Sequence, residues 1–262
     1  MRILVTNDDG IMAPGIKALY RAVRDLGEVE VVAPETSQSA GGHSISVLSP
    51  MMAHRVHVHS EFHAWSVDGS PADCVKLAML KLLDWRPDFV LSGINAGVNT
   101  AINVLYSGTV AGAIEGACFG VPAMAFSLEL SDHLDFDGAG SVARSLFLEF
   151  TRTRPEPGVC LNVNIPKFDK GWPRGTRVVP QAVVPMQDRY HVQHDPRGNP
   201  VYWLDGEMPE HPVDSGTDLA AIYERFVSIT PLRFDLTDHK RMAEMAAVGW
   251  PQAFERIEAA TR

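Results

Sequence analysis

The chain is poor in cysteine, in positive charge and in long apolar runs. Its three cysteines, Cys74, Cys118 and Cys160, are odd in number, widely separated and free of any CxxC pair. That argues against a disulfide scaffold or a cysteine zinc site, and buried thiols in a reducing compartment are the natural reading. Lys and Arg number 23 against 32 Asp and Glu, a formal charge of −9 at pH 7. With no basic run, duplex nucleic acid is not an expected partner. An anionic substrate has to be captured locally, by a metal ion or a helix N-terminus. No apolar run is long enough to span a membrane, and MRILVTNDDG holds no stretch of signal-peptide length. A cytoplasmic protein without a membrane partner is therefore expected. Also missing are GxGxxG and GxxxxGK[ST], which disfavours dinucleotide enzymes and P-loop NTPases. There is no internal repeat and no low-complexity tract.

What is present suits a folded α/β protein. Hydrophobic residues make up 45% of the chain and charged residues 21%, and this length buries about three quarters of the unfolded surface without staples. Residues 3–5 form a short apolar run that breaks into Asn7-Asp8-Asp9-Gly10, the pattern of a buried strand ending in a polar loop. Residues 16–26 carry apolar side chains at helical spacing and close at Gly27. Residues 29–33 read as a strand stopped by Pro34, 71–83 as a helix opened by Pro71, and 88–91 as a strand running into the polar loop Ser92 to Asn95. Residues 107–119 read as a helix and 123–127 as a strand.

This βαβ alternation to about residue 150 predicts a doubly wound, largely parallel sheet, and the texture changes after Pro155. Beyond it lie β-branched segments at 159–165, 177–184 and 227–230. A polar, aromatic, turn-rich stretch at 185–217 reads as an extended hairpin or arm, and 238–260 as a terminal helical segment interrupted near Gly249-Trp250-Pro251. The division expected is thus a core over 1–155 and a C-terminal part over 156–262 that partly completes it.

Ligands of open α/β sheets bind at the carboxyl ends of the strands. Three polar clusters fall there: Asn7 to Gly10, the Ser37 to Ser46 loop, and Ser92 to Asn99. Adjacent carboxylates at Asp8 and Asp9 are unfavourable unless a cation neutralises them. For the pair alone, an Asx-turn or helix cap accounts for the residues equally well. Oxygen donors on neighbouring loops, Ser39 and Asn95, shift the balance towards a hard divalent ion, Mg²⁺ or Mn²⁺ rather than zinc. Tyr106-Ser107-Gly108-Thr109 precedes a helix of small residues, where hydroxyls and free N–H groups suit a phosphate; ordinary N-capping explains the same residues. His54, His57, His59 and His63 recur in a strand-like segment, with His57 and His59 expected on one solvated face. His191 and His194 carry no metal spacing. Asp8-Asp9 is adjacent rather than DxD, which argues against a haloacid-dehalogenase-type phosphatase.

Seven ordered blocks carry a resemblance: MRILVTNDDG, SQSAGGHSIS, VDGSPADCVKLA, LSGINAGVN, YSGTVAGAIEG, DPRGNPVYW and VSITPLRFDLTDH. Together they resemble the SurE family of metal-dependent 5′-nucleotidases, from Met1 to about His239. The resemblance implies an α/β, Rossmann-like, doubly wound, mostly parallel sheet core with an extended C-terminal β-hairpin arm and terminal helix. It implies hydrolysis of nucleoside 5′-monophosphates, with 3′-monophosphates and polyphosphate as further substrates. One divalent ion per subunit would sit on Asp8, Asp9, Ser39 and Asn95, with Asp8 and Asp9 also catalytic. Phosphate would be held by Asn99, Ser107, Gly108 and Thr109, with Asp235 and His239 as accessory residues. A homodimer or homotetramer formed through the arm is implied as well. Two departures from the family pattern stand out: Thr100-Ala101-Ile102-Asn103-Val104 where relatives keep a glycine and two aspartates, and Ala40 where they keep glycine. The first motivates an alternative, a catalytically weak nucleotide- or anion-binding module.

Overall fold

A computed structural model describes residues 1–184, 187–207 and 214–250. The chain divides into two compact units, Met1–Leu232 and Arg233–Arg262. In the first, β1 (Arg2–Thr6), β2 (Glu28–Pro34), β5 (Phe89–Ala96), β6 (Ala123–Leu128) and β7 (Cys160–Ile165) form the centre of a nine-stranded sheet. β3 (Ala53–Val58) and β4 (Phe62–Val67) extend it beyond β2, while β11 (Val227–Leu232) and β8 (Thr176–Val178) extend it beyond β7. Pairing is parallel except at β3/β4 and β7/β11. The strands after residue 155 thus enter the same sheet as those before it.

Both faces are covered, which is why the central strands are continuous apolar runs rather than alternating ones. α1 (Pro14–Val23) and α5 (Phe136–Arg152) pack on one face around Ile16, Leu19 and Phe147, each wholly buried. α2 (Pro71–Leu77) and α4 (Gly108–Cys118) lie on the other, around Val75, Val110 and Ala113. α4 is buried almost all round, and its small residues let it approach closely. A Cβ on Gly112 would stand 2.9 Å from Thr6 Cγ2. The strand order β2-β1-β5 places the topological switch between β1 and β5, where the crossover direction changes and a crevice opens at the strand ends.

Several expectations change in detail. α1 stops at Val23, with Arg24 as its C-cap, rather than running to 26. α2 ends at Leu77 and continues as a π-helical turn, Ala78–Leu82. β5 runs to Ala96 rather than ending at 91, because Asn95 and Ala96 pair with Ser127 and Leu128 of β6. Of residues 177–184 only the first two are strand, in β8, since Pro180 has no N–H to donate and the segment turns away. Two short helices were not foreseen: α3 (Asn103–Tyr106) and α6 (Asp218–Tyr223). His57 and His59 do not share a strand face. The chain leaves β3 at Val58, His59 (φ 47°) donates to the Met12 carbonyl at 3.0 Å, and His57 stacks on His63.

Within 185–217, β9 (Gln187–His194) and β10 (Pro200–Glu207) form an antiparallel hairpin. Tyr190, Tyr202 and Trp203 are each more than 60% exposed on it. Residues 185–186 and 208–213 of this stretch lie outside the described residues. The second unit holds α7 (His239–Ala246), capped by Asp238. Residues 251–260 of the expected terminal segment lie outside the described residues. Among the described residues no helix is long and apolar enough to cross a membrane.

Candidate metal and phosphate site

The carboxyl end of β1 turns into Asn7-Asp8-Asp9-Gly10, held by the wholly buried Asn7, whose Nδ2 donates to the Gly10 carbonyl at 2.9 Å. Asp8 is 4% exposed and lies against the start of α4, where the Thr109 hydroxyl donates to its Oδ1. Burial pushes the Asp8 carboxyl above the usual carboxylate range. Hydrogen bonds from Thr109 oppose that push, and the neighbouring Asp9 charge adds to it. Asp9 points across the switch to β5, where its Oδ2 accepts from the Ala96 N–H at 3.1 Å; burial raises its carboxyl too. Among the described residues neither aspartate forms an ion pair. A buried carboxylate beside a half-buried one is favourable only with a cation near both.

The other sequence candidates are distributed around this pair. Asn95, at the end of β5, uses its amide N–H on the Gly97 carbonyl at 2.7 Å, which leaves Oδ1 as an acceptor. Ser39 lies in the exposed loop after β2, its hydroxyl 2.9 Å from that of Ser37. The loop is tied to the site through the Gln38 N–H, which donates to the Asp8 carbonyl at 2.7 Å. Ser107 is the N-cap of α4 and accepts from the Val110 N–H at 3.1 Å. Thr109 does not cap; its hydroxyl proton goes to Asp8. Gly108 is the point of closest approach, since a Cβ there would lie 2.8 Å from Asp8 Cβ and 3.0 Å from Oδ2. Asn99 is built into a buried knot. Its N–H donates to Asn164 Oδ1 (2.7 Å), its Nδ2 to Ser127 Oγ (2.8 Å), and its carbonyl accepts from Asn162 (2.7 Å). Asp235 and His239 belong to the second unit, where they are exposed and joined by a 2.9 Å hydrogen bond.

Residues that the sequence did not single out brace the loop after β2. Glu115 on α4 is 5% exposed and receives hydrogen bonds from His43 (2.7 Å) and Lys76 (2.5 Å). Asp73 on α2 accepts from the Ser46 N–H (2.9 Å) and hydroxyl (2.8 Å). A lone glutamate in a helix of small residues, and a histidine in the glycine loop, were the available signals. The altered segment 100–104 is also anchored: the Ala101 N–H donates to buried Asp218 at 3.0 Å, and Gln181 donates to the Ala101 carbonyl at 2.6 Å.

The donor set fits a hard divalent cation. It offers two carboxylates without a basic partner, a carboxamide oxygen and a hydroxyl, with no thiolate and no cluster of three His, Cys, Asp or Glu among the described residues. The N-terminus of the eleven-residue α4 faces the same spot with its positive dipole end.

Comparison with known proteins agrees in extent. A family model described as Survival protein SurE matches residues 3–188. The chain is 46% identical over 246 residues to the 5′-nucleotidase SurE of Rhodopirellula baltica, covering 94% of this chain and 97% of that one. It is 46% identical over 244 residues to the 5′-nucleotidase SurE 1 of Thermus thermophilus, covering 91% and 94%. The crystal structure of the SurE protein from Aquifex aeolicus superposes with a TM-score of 0.81 at 36% identity, over 94% of this chain and 99% of that one. The match of the family model to residues 3–188, and a sequence and fold shared with these relatives over nearly the full length, place this chain in the SurE family.

Proposed function

We propose that this chain is a metal-dependent phosphomonoesterase that releases phosphate from nucleoside 5′-monophosphates. The observation that carries the reading is the Asp8–Asp9 pair at the β1/β5 switch, one carboxylate buried and the other half-buried and neither with a basic partner among the described residues, opposite Asn95 and the start of α4. The relatives' names, 5′-nucleotidases throughout, favour an enzyme over a binding module.

One Mg²⁺ or Mn²⁺ per subunit is assigned to Asp8, Asp9, Asn95 and Ser39. When bound, the ion neutralises phosphoryl oxygens, orients the ester and eases ionisation of water. The rest falls to the chain. Thr109 holds Asp8 in one orientation and the Ala96 N–H holds Asp9, so both carboxylates are fixed before substrate arrives. Asp9 has a second oxygen with no partner among the described residues, and this is the atom left to face the cation. The first turn of α4, from Ser107 to Thr109, together with Asn99, is the assigned seat of the phosphate. There, N–H groups and the helix dipole stabilise the charge that spreads over its oxygens.

The exposed aromatics of the β9/β10 hairpin are too few to form a core of their own. We assign them to a second copy of the chain, in a homodimer or homotetramer, within the cytoplasm. The activity is tested by phosphate release from adenosine 5′-monophosphate with Mn²⁺, with EDTA, and in Asp9→Asn. The proposal expects turnover in the first case and loss of at least ~100-fold in the other two. Full turnover in EDTA would sink it.

A further inference from the structure

A cleft of about 790 Å³ opens beside the site, between the loop after β6 and the loop after β7. Its size is that of a small-molecule pocket. Both loops leave the carboxyl ends of their strands, on the same edge of the sheet as Asp8, Asp9 and Asn95. The link to the site is direct. The position a Cβ would take on Gly97 lies 3.8 Å from Leu130 Cγ, in the cleft wall, and 3.9 Å from Asn95 Nδ2. Gly97, at φ +121°, is glycine by backbone necessity, and its missing side chain leaves Asn95 and the cleft wall flanking one open space. Strands sit about 4.8 Å apart, so the end of β6 lies about 10 Å from the end of β1, roughly the reach of one nucleoside from its phosphate.

The lining is selective. Leu130 and the half-buried ring of Phe168 form an apolar wall, and Phe168 is fixed edge-to-face on Trp172 at 5.2 Å. Ser131, Asp132 and Asp169 supply acceptors. The basic side chains of the lining are His133 and Lys167, and Glu129 (3.8 Å) and Asp169 (3.9 Å) already neutralise the lysine. Such a surface repels a second phosphate and welcomes a neutral ligand that carries a flat ring and hydroxyl donors.

We propose that this cleft takes the nucleoside half of the substrate, with the base against Leu130 and Phe168 and the ribose hydroxyls donating to Asp132 and Asp169. The proposal rests on the assignment of the phosphate to the neighbouring Asp8–Asp9–Asn95 site.

Leu130→Ala and Asp132→Ala test it, because both side chains are exposed and neither substitution threatens the fold. Each variant and the wild type are assayed for phosphate release from adenosine 5′-monophosphate and from ethyl phosphate, which has neither sugar nor base. The expected result is a fall of at least ~10-fold in the ratio of the two kcat/KM values, carried by KM for the nucleotide. An unchanged ratio in both variants would overturn the assignment. A wild type that hydrolyses neither ester overturns the phosphatase reading instead, and calorimetry with adenosine then decides the cleft. Heat of binding in the wild type that is lost in the variants supports it, and no heat in the wild type refutes it.

Discussion

Gly108 offers a sharp perturbation of the site, because its missing side chain is the space into which Asp8 fits. In Gly108→Ala the new Cβ would stand 2.8 Å from Asp8 Cβ, 3.0 Å from Asp8 Oδ2 and 3.2 Å from Pro71 Cγ. Carbon atoms pack at about 3.5–4.0 Å, so the carboxylate or the first turn of α4 must yield by about 1 Å. A misplacement of that size at a reacting centre lowers rate by about 100-fold. Overpacking destabilises by about 1–3 kcal/mol, while alanine regains about 1 kcal/mol of helix propensity over glycine. The net loss is therefore about 0–2 kcal/mol, a melting temperature lower by up to about 8 °C. Gly112→Ala is the control. One turn further along α4, its Cβ meets Thr6 Cγ2 at 2.9 Å and Ser92 Oγ at 3.1 Å but not Asp8. Phosphate release and thermal melts on both variants should show similar stability losses, with the large activity loss confined to position 108. Wild-type kcat/KM in Gly108→Ala, or equal activity losses at 108 and 112, would refute the account of Asp8 as a positioned ligand.

Three further outcomes follow from the same geometry. The Asp8 and Asp9 carboxyls titrate above their ordinary value of 3.8 in the metal-free chain, so the stability they leave intact at low pH is lost as pH rises through the folded value. In EDTA, thermal melts should therefore favour Asp8→Asn over wild type increasingly as pH is raised from about 4 to 7; a gap independent of pH would contradict this. For Glu115, burial raises the carboxyl but the hydrogen bonds from His43 and Lys76 outweigh it, leaving it below 4.5. Its stabilisation is present above that value and lost as pH falls through the folded one, so Glu115→Gln should lower unfolding free energy by about 1–3 kcal/mol at pH 7, with the deficit shrinking in acid urea melts. Trp203→Glu on the hairpin should shift the mass by light scattering towards monomer at micromolar concentration, and a wild type that is already monomeric would contradict the assigned role of the arm.

The parts of the fold legible in the sequence are those fixed by local chemistry. Residues 3–5 read as a buried strand because parallel strands covered on both faces are continuously apolar. The start of α4 was legible because Ser107 is an N-cap type before a helical run. The hairpin was legible because the stretch 185–217 is polar, aromatic and rich in turn residues, too poor in apolar side chains to be a compact layer. What was not legible depends on partners distant in the chain. Asn95 remains in a strand only because β6 continues to pair with it. Glu115 meets His43 across 72 residues, and Asp218 fixes Ala101 across 117. His57 and His59 were misassigned to one face because the chain leaves β3 between them, at Val58. Thr109 illustrates the limit within the site: its residue type suggests a cap or a phosphate donor, while its hydroxyl is spent on Asp8.

The central claim is that the carboxylate pair at the β1/β5 switch holds a divalent cation beside the phosphate seat. An anomalous difference map at the manganese edge, from crystals grown with Mn²⁺, tests it most directly. The account predicts one peak per chain, with Asp8, Asp9 and Asn95 oxygens at about 2.0–2.3 Å. No peak there, or a peak bound elsewhere with Asp8 and Asp9 unengaged, would contradict it.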